Sequence, residues 1–560
     1  MVVKFNTWAK AFFVYFLLMH SASLKSQTVN LDNIALQDAK RTTDLMDTSS
    51  KIISYTIRNS SNTFNFEKIS WKKIRINKLS AFSVIQENSN LPFGFNDGAM
   101  HPSVGKQNYY NAELAIQWGR LSLQLSPEKI TAENFLVDGL GNNFDGSANG
   151  YPGNFWRRYY EISENVIENP NNPFNTKSDQ LFIGQSSLKY HANNWTYGVS
   201  NENLWWGPGI NYSLVLTNNA PGFLHYTINT SKPLHTFLGT IEAQFIGGIL
   251  QNANLPPSEN NNPYAAQWYI PKDTSSRYVT GMVLTLNPKW TKNLFIGVSN
   301  MAYMYQRDMN GLEDATPIGN FSRFTQLKKR PALGAVFIRY ALPKDHAEVY
   351  LEYGRNDRGA TPLNIFYDSV ATGYVAGVRK LFPLSKNSNF GAISLNLEIV
   401  QLKLPQANLI WNSNLLSKQS SWYTNSQVRQ GYTHNGQILG SYVGPGGSGQ
   451  TIHLAWLKGY NKIGASIERY SHNKDFYYYN YFNGLTYPGP NFKYWSDFIY
   501  TFYIRIKVAN FIISSELKQG ESYNYLWTKL GSGGLYGPSD TDRKNRQFNL
   551  SLRYLFIRKK

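Results

Sequence analysis

Phe548-Asn-Leu-Ser-Leu-Arg-Tyr-Leu-Phe556 runs with a two-residue rhythm near the end of the chain. Phe548, Leu550, Leu552, Tyr554 and Phe556 fall on one side, and Asn549, Ser551, Arg553 and Leu555 on the other. Side chains two apart on a strand share a face, so all but the last pair obey an apolar-out, polar-in rule. The same grammar recurs upstream. Leu114, Ile116 and Trp118 alternate with Glu113, Ala115 and Gln117, and Gly119-Arg120 turns the chain into Leu121, Leu123 and Leu125. Val349, Leu351 and Tyr353 alternate with Glu348, Tyr350 and Glu352, and Leu395 and Leu397 with Ser394, Asn396 and Glu398. The stretch from Ala335 to Tyr340 is less clean, because both of its faces carry apolar groups.

Repeated segments of this kind, separated by turn residues, are the signature of a membrane β-barrel. The spacing predicts strands near 72–86, 112–118, 121–126, 181–191, 195–202, 222–229, 235–250, 277–286 and 293–305. Others follow near 332–342, 347–356, 372–382, 390–403, 450–457, 462–472, 497–508, 511–517 and 546–556. That makes an all-β chain: one barrel of about 18 antiparallel strands, an even number, with long and short links in strict alternation. Short turns belong on the periplasmic side and long loops outside, with both chain ends inside. A terminal strand ending in aromatics also resembles the assembly signal of outer-membrane barrels, although Ile557 to Lys560 run past the usual last aromatic.

The N-terminus supplies the address. Lys4 and Lys10 precede an apolar run from Ala11 to Met19, then small residues at Ser21, Ala22 and Ser23. This is the order of a secretory signal peptide, expected over 1–26, and the run is too short to span a bilayer as a helix. Residues 27–66 form a periplasmic segment in which Ile34 to Ser50 has mixed helix-forming character, leaving a short helix or plug piece open; 67–560 make the barrel. No other segment approaches a transmembrane helix, and the mean hydropathy is −0.40. The chain has no cysteine, which excludes disulfides, thiolate metal sites, a cysteine nucleophile and a lipid anchor on cysteine.

The composition narrows the partners. Tyr, Phe and Trp number 38, 32 and 14, more than an ordinary globular domain needs but suited to interfacial girdles and sugar-stacking faces. A formal charge of +19 favours polyanions. For an exported chain these are acidic glycans or lipopolysaccharide phosphates, not nucleic acid; a solvated basic surface with no special partner is the plain alternative.

Three stretches fall in the long outer links. They are Leu91-Pro-Phe-Gly-Phe-Asn-Asp-Gly-Ala-Met100, Glu202-Asn-Leu-Trp-Trp-Gly-Pro-Gly209 with Ser213-Leu-Val-Leu-Thr-Asn-Asn-Ala-Pro221, and Ser421-Trp-Tyr-Thr424 through Arg429-Gln-Gly-Tyr-Thr433 to Gly444-Pro-Gly446. The second closely resembles the hallmark of the capsule assembly protein Wzi family, an aromatic pair, Gly-Pro-Gly, then Ser-Leu and Asn-Asn-Ala-Pro. The others resemble the form found in its longer members, and the likeness runs from about Trp71 onward. What the resemblance implies is an eighteen-stranded outer-membrane barrel that binds capsular polysaccharide like a lectin and helps hold the capsule on the cell. The chain departs from shorter members in showing no clear N-terminal helical bundle to plug the periplasmic mouth.

Sugar recognition calls for flat rings under pyranose C–H faces, with amides and guanidinium groups for hydroxyls and carboxylates. Glu202, Asn203, Trp205, Trp206, Asn218 and Asn219 supply that mixture in one link, Trp156, Arg157 and Arg158 in a second, and Trp422, Tyr423, Arg429 and Tyr432 in a third. These twelve residues without Tyr432 are the candidate polysaccharide contacts. The same residues also read structurally: Trp-Trp-Gly-Pro-Gly as a tight turn whose rings pack against the barrel rim, and Asn218-Asn219 as caps on backbone groups. No HExxH or Gly-x-Ser-x-Gly pattern occurs, and Gly444 to Gly449 lacks the Lys-Ser/Thr of a phosphate loop. Asp138 to Gly150 faintly resembles a calcium loop but lacks its spacing. The expectation is a non-enzymatic, integral outer-membrane monomer without cofactor or metal. A porin or nutrient channel, a barrel enzyme acting on lipid or glycan, and a scaffold for a secretion or adhesion machine are the rivals.

Overall fold

The computed structural model describes residues 33–47, 52–55, 74–137, 154–168, 177–254, 262–317, 330–356, 370–385, 391–404, 421–481, 494–527 and 542–556. The leader expected over 1–26, Trp71, the faint calcium loop and Ile557 to Lys560 lie outside them.

Eighteen antiparallel strands form one closed barrel. They are β1 (Ile74–Asn88), β2 (Gly105–Trp118), β3 (Leu121–Leu125 and Glu128–Ala132), β4 (Ser178–Phe182 and Ser187–Ala192), β5 (Trp195–Ser200), β6 (His225–Thr230), β7 (Gly239–Leu250), β8 (Arg277–Pro288) and β9 (Leu294–Tyr305). The round continues with β10 (Ala332–Leu342), β11 (Ala347–Asn356), β12 (Thr372–Pro383), β13 (Ala392–Lys403), β14 (Ser448–Lys458), β15 (Asn461–Ser471), β16 (Ser496–Val508), β17 (Phe511–Tyr523) and β18 (Arg543–Leu555). Each pairs with its neighbours in sequence, and β18 returns to β1 through Ser80↔Leu555 to Asn88↔Gln547. Closure leaves no free edge, so every backbone group of the wall finds a partner without water.

The alternation read from the sequence is the wall itself. On β11, Val349 and Leu351 face outward while Glu348, Tyr350 and Glu352 are buried inside. On β18, Phe548, Leu550 and Leu552 are exposed while Asn545, Gln547 and Arg553 point in. Links alternate as expected: the short ones include 119–120, 193–194, 459–460 and 509–510, and the long ones L1 (89–104), L2 (133–177), L3 (201–224), L4 (251–276), L7 (404–447) and L8 (472–495). The protein is an integral outer-membrane barrel, and the short links mark its periplasmic end.

One helix, α1 (Asn33–Met46), sits in that end. Leu45 packs with Phe295, Ala341, Leu381 and Leu457 from the wall. Arg41 reaches Glu348 at 2.8 Å, and Glu348 also takes Arg339 at 2.7 Å. Asp38 bridges Arg379 and Lys462. Burial opposes ionisation of Asp38, but the adjacent Arg379 and Lys462 outweigh it and hold its carboxyl well below the usual range. Among the described residues, α1, held by these charge pairs, packs at this mouth.

Candidate functional site

The chain's own outer loops fill one side of the bore. L3 leaves β5 and dives inward, and its hallmark motif is the segment that goes deepest. Two lumenal carboxylates receive it. Glu398 accepts from the Ile210 and Asn211 amides at 2.8 and 2.7 Å, and Glu352 from the Leu214 amide at 3.1 Å and from the Ser213 hydroxyl. Hydrogen bonds from N–H groups to a carboxylate are roughly twice as strong as neutral ones, so the strap is fastened by its backbone. At its tip the Pro208 carbonyl accepts from Arg41 Nη1 at 2.8 Å, joining the outer loop to the periplasmic helix.

This geometry explains the glycines. Gly207 has φ +123°, and a Cβ there would press on Ser213 Oγ and on Glu352. A Cβ on Gly209 would be driven into the Tyr212 carbonyl, with Glu398 on its other side. Trp206 is fully buried and donates its indole N–H to Gln244 Oε1 at 2.9 Å. Trp205 is buried as well.

L7 packs onto the strap. Tyr423 and Tyr432 stack at 5.9 Å, and the Tyr423 hydroxyl donates to the Leu214 carbonyl at 2.8 Å while accepting from the Ser441 amide at 2.9 Å. The Thr217 amide donates to Leu439, and Asn219 Nδ2 to Ile438, at 2.8 and 3.0 Å. L1 closes over both, with the Gly98 amide on the Asn218 carbonyl at 2.7 Å. From L2, the short helix α2 (Asn154–Tyr159) drives Trp156 into an aromatic cluster with Phe155, Tyr159 and Tyr160. Phe476 of α3 (Lys474–Tyr481) in L8 meets Phe155 and Tyr159 in the same cluster. All of these side chains belong to one continuous core.

The three groups nominated from sequence therefore do come together, but inside. Trp156, Trp205, Trp206, Trp422 and Tyr423 are buried, so no ring face of theirs is offered to a sugar in this conformation. The Trp205 and Trp206 rings pack as in the structural alternative, but within the bore and not at its rim. Glu202 is buried against Lys189, Ser187 and Ser200, and Asn203 is tied to the Gln185 side chain and the Ala220 carbonyl. Arg158 donates to the Tyr479 and Asn480 carbonyls, and Asn218 is half-buried. Arg157 is exposed and Arg429 partly so. The sequence reading singled out Gly207 and Gly209 within the motif but missed their partners Glu352, Glu398 and Arg41. Its one available signal was the glutamates on the inward rhythm of β11 and β13.

The rest of the lumen is different. Along β1 and β13–β18 a cavity of about 350 Å³ remains. Four acids (Asp38, Asp97, Glu468, Glu516) and four bases (Arg379, Lys462, Arg505, Lys518) line it, with Asn96, Asn396, Ser514 and Tyr503 among the neutral groups. Asn96 Oδ1, Asn396 Oδ1, Ser514 Oγ and the Tyr503 hydroxyl have no hydrogen-bond partner among the described residues. A space this size has room for several waters beside those polar groups. Among the described residues no group of three His, Asp or Glu is placed to hold a metal ion.

Fold and loops together define an outer-membrane barrel stoppered by its own extracellular loops. The capsule assembly protein Wzi family matches residues 96–486, and the chain belongs to that family. Among solved structures it is similar to Wzi of Escherichia coli, an outer membrane protein involved in group 1 capsule assembly and a carbohydrate-binding β-barrel. The identity is 12%, covering 85% of this chain and 84% of that one, with a TM-score of 0.52. Acinetobacter baumannii OccAB2 aligns at 8% identity over 85% of this chain and 97% of its own, with a TM-score of 0.39. No curated protein matches the chain.

Proposed function

We propose that this barrel binds capsular or other surface polysaccharide at its outer face, non-covalently, and so helps assemble or retain the capsule. The observation that carries the reading is the stoppered bore: L3 and L7 lie inside and are fastened to Glu352, Glu398 and each other. A channel's loops leave a path, whereas these loops fill one and present their upper surface to the outside. The family membership and the carbohydrate binding of the E. coli relative point the same way. The charge of +19 favours an acidic polysaccharide, and lipopolysaccharide phosphates are a second anionic neighbour for the same barrel. The chain works as a monomer and performs no covalent step. Titrating detergent-solubilised protein with the host's purified surface polysaccharide tests this. Saturable binding supports the reading; none, from folded protein, removes it in favour of a channel or scaffold.

A further inference from the structure

If the rings named by the sequence are spent on packing, a sugar-binding surface needs others. L4 supplies them. Asn262-Pro-Tyr-Ala-Ala-Gln-Trp-Tyr-Ile-Pro271 begins with a single helical turn, Pro263–Ala266, whose buried cap Asn262 accepts from the Tyr264 and Ala265 amides at 2.9 and 3.2 Å. Tyr264 on this turn (42% exposed) and Trp268 (36%) and Ile270 (55%) just beyond it all face water within seven residues.

This apolar surface is not a fraying loop. Asn165 clasps it from both sides, donating to the Trp268 carbonyl and accepting from the Ile270 amide, each at 2.9 Å. Arg429 donates to the Ile270 and Pro271 carbonyls, and Tyr269 packs edge-on to buried Tyr160 at 6.4 Å. Its anchors are parts of the stopper, from L2 and L7, so the patch sits on the plug and away from the lipid-facing side of the strands. Cations flank it: Arg429 beneath, Lys272 on the Tyr269 ring at 5.7 Å, and Arg307, 57% exposed, paired with Asp273. Aromatic groups held rigidly in water gain free energy when a ligand covers them, and rigidity removes the cost of ordering them first.

We infer that Tyr264, Trp268 and Ile270 form a stacking platform for an acidic polysaccharide, the pyranose C–H faces lying on the rings and the carboxylates meeting Arg307 and Arg429. This rests on the polysaccharide-binding reading and names its contact surface. It also gives Arg429 a definite place, as the group that both fastens the platform and borders it.

The test compares wild type with Trp268→Ala, Tyr264→Ala and the double variant, using the host's purified acidic surface polysaccharide and, as a neutral probe, dextran. Trp290→Ala, at a still more exposed tryptophan on the short 289–293 link at the opposite end, is the control. Single substitutions are expected to weaken binding about tenfold, as losing a central aromatic contact does, with the control unchanged and dextran bound poorly. Wild type that binds while the double variant keeps its affinity within twofold overturns the platform and leaves the functional reading standing. Wild type that binds nothing overturns that reading instead. Equal binding of dextran overturns the acidic assignment.

Discussion

The two halves of the bore are built from the same wall and treated in opposite ways. Facing β7 to β13, the inward side chains include Ile246, Val279, Val283, Met301, Ala335, Phe337, Val375 and Val400, on which the loops pack as on any hydrophobic core, beside the charged Arg339, Glu348, Glu352 and Glu398. Facing β14 to β18, the inward side chains include Thr451, His453, Ser466, Thr501, Ser514 and Ser551, and a polar cavity is left. A barrel strand whose inner face turns apolar is therefore reporting what has been folded against it. Water cannot be the neighbour of that face, and lipid covers only the other one.

The difference can be broken most forcefully by truncation. Trp422→Ala, in the filled half, removes a fully buried indole and should destabilise the protein by about 3–5 kcal/mol. Asn396→Ala, on the part of β13 that borders the cavity, removes a side chain whose carbonyl oxygen has no partner among the described residues and should cost no more than about 1 kcal/mol. Thermal or denaturant unfolding of the two variants decides it, and equal losses would mean that the cavity wall is packed as tightly as the core.

Gly209→Val attacks the seam between the halves. Its side chain cannot fit between the Tyr212 carbonyl and Glu398, so the strap must leave its seat at a cost of about 3 kcal/mol. The expected product is an assembled barrel that conducts ions in a planar bilayer. A silent variant with native heat resistance would show that the strap tolerates displacement. Arg41→Ala, at the floor shared by both halves, takes one guanidinium from Glu348 and the donor from Pro208. Arg339 and Arg379 remain near Glu348, which limits the loss to about 2 kcal/mol. Protease sensitivity close to α1 should rise with it, and an unchanged cleavage pattern would remove the helix from the lock.

The most local effect is a pH dependence. Asp475, on α3, accepts from the Ser421 hydroxyl and from the Leu404 amide, and burial pushes its carboxyl up to about 6 despite both bonds. A raised carboxylate pKa penalises the folded state only when the group ionises. The penalty is absent below about 4, the unfolded value, and complete above about 6. Amide exchange around Ser421 to Thr424 should therefore quicken relative to Asp475→Asn as pH rises from 4 to 7, by between about 10- and 100-fold. Parallel profiles for the two proteins would contradict this.

Much of the wall was legible. The strands read at 332–342 and 347–356 coincide with Ala332–Leu342 and Ala347–Asn356, because lipid on one side enforces the rhythm. Misreadings sit where lipid no longer does so. β2 begins at Gly105, not 112, and β17 runs on to Tyr523, not 517. Spanning the hydrocarbon takes only about 9–11 residues, and these extensions, polar on both faces, rise beyond it. On β17 Gly520 leaves room for Phe93 of L1, a contact between segments far apart in the chain. The site was legible as motifs but not as geometry. Whether Trp206 meets a sugar or Gln244 depends on Glu352 and Glu398, more than 130 residues away, and only the folded barrel shows that they hold the strap. The uneven rhythm from Ala335 to Tyr340 was the visible trace of the stopper. Ala335, Phe337 and Arg339 turn inward there and Val336, Ile338 and Tyr340 outward.

The most direct test of a bore closed by its own loops is the conductance of the wild-type protein in a planar bilayer at high salt. The expected result is a silent membrane with correctly folded protein inserted, and steps that appear only when Gly209→Val unseats the strap. Steady ohmic channels from the wild type would contradict the account and return the protein to the channel class.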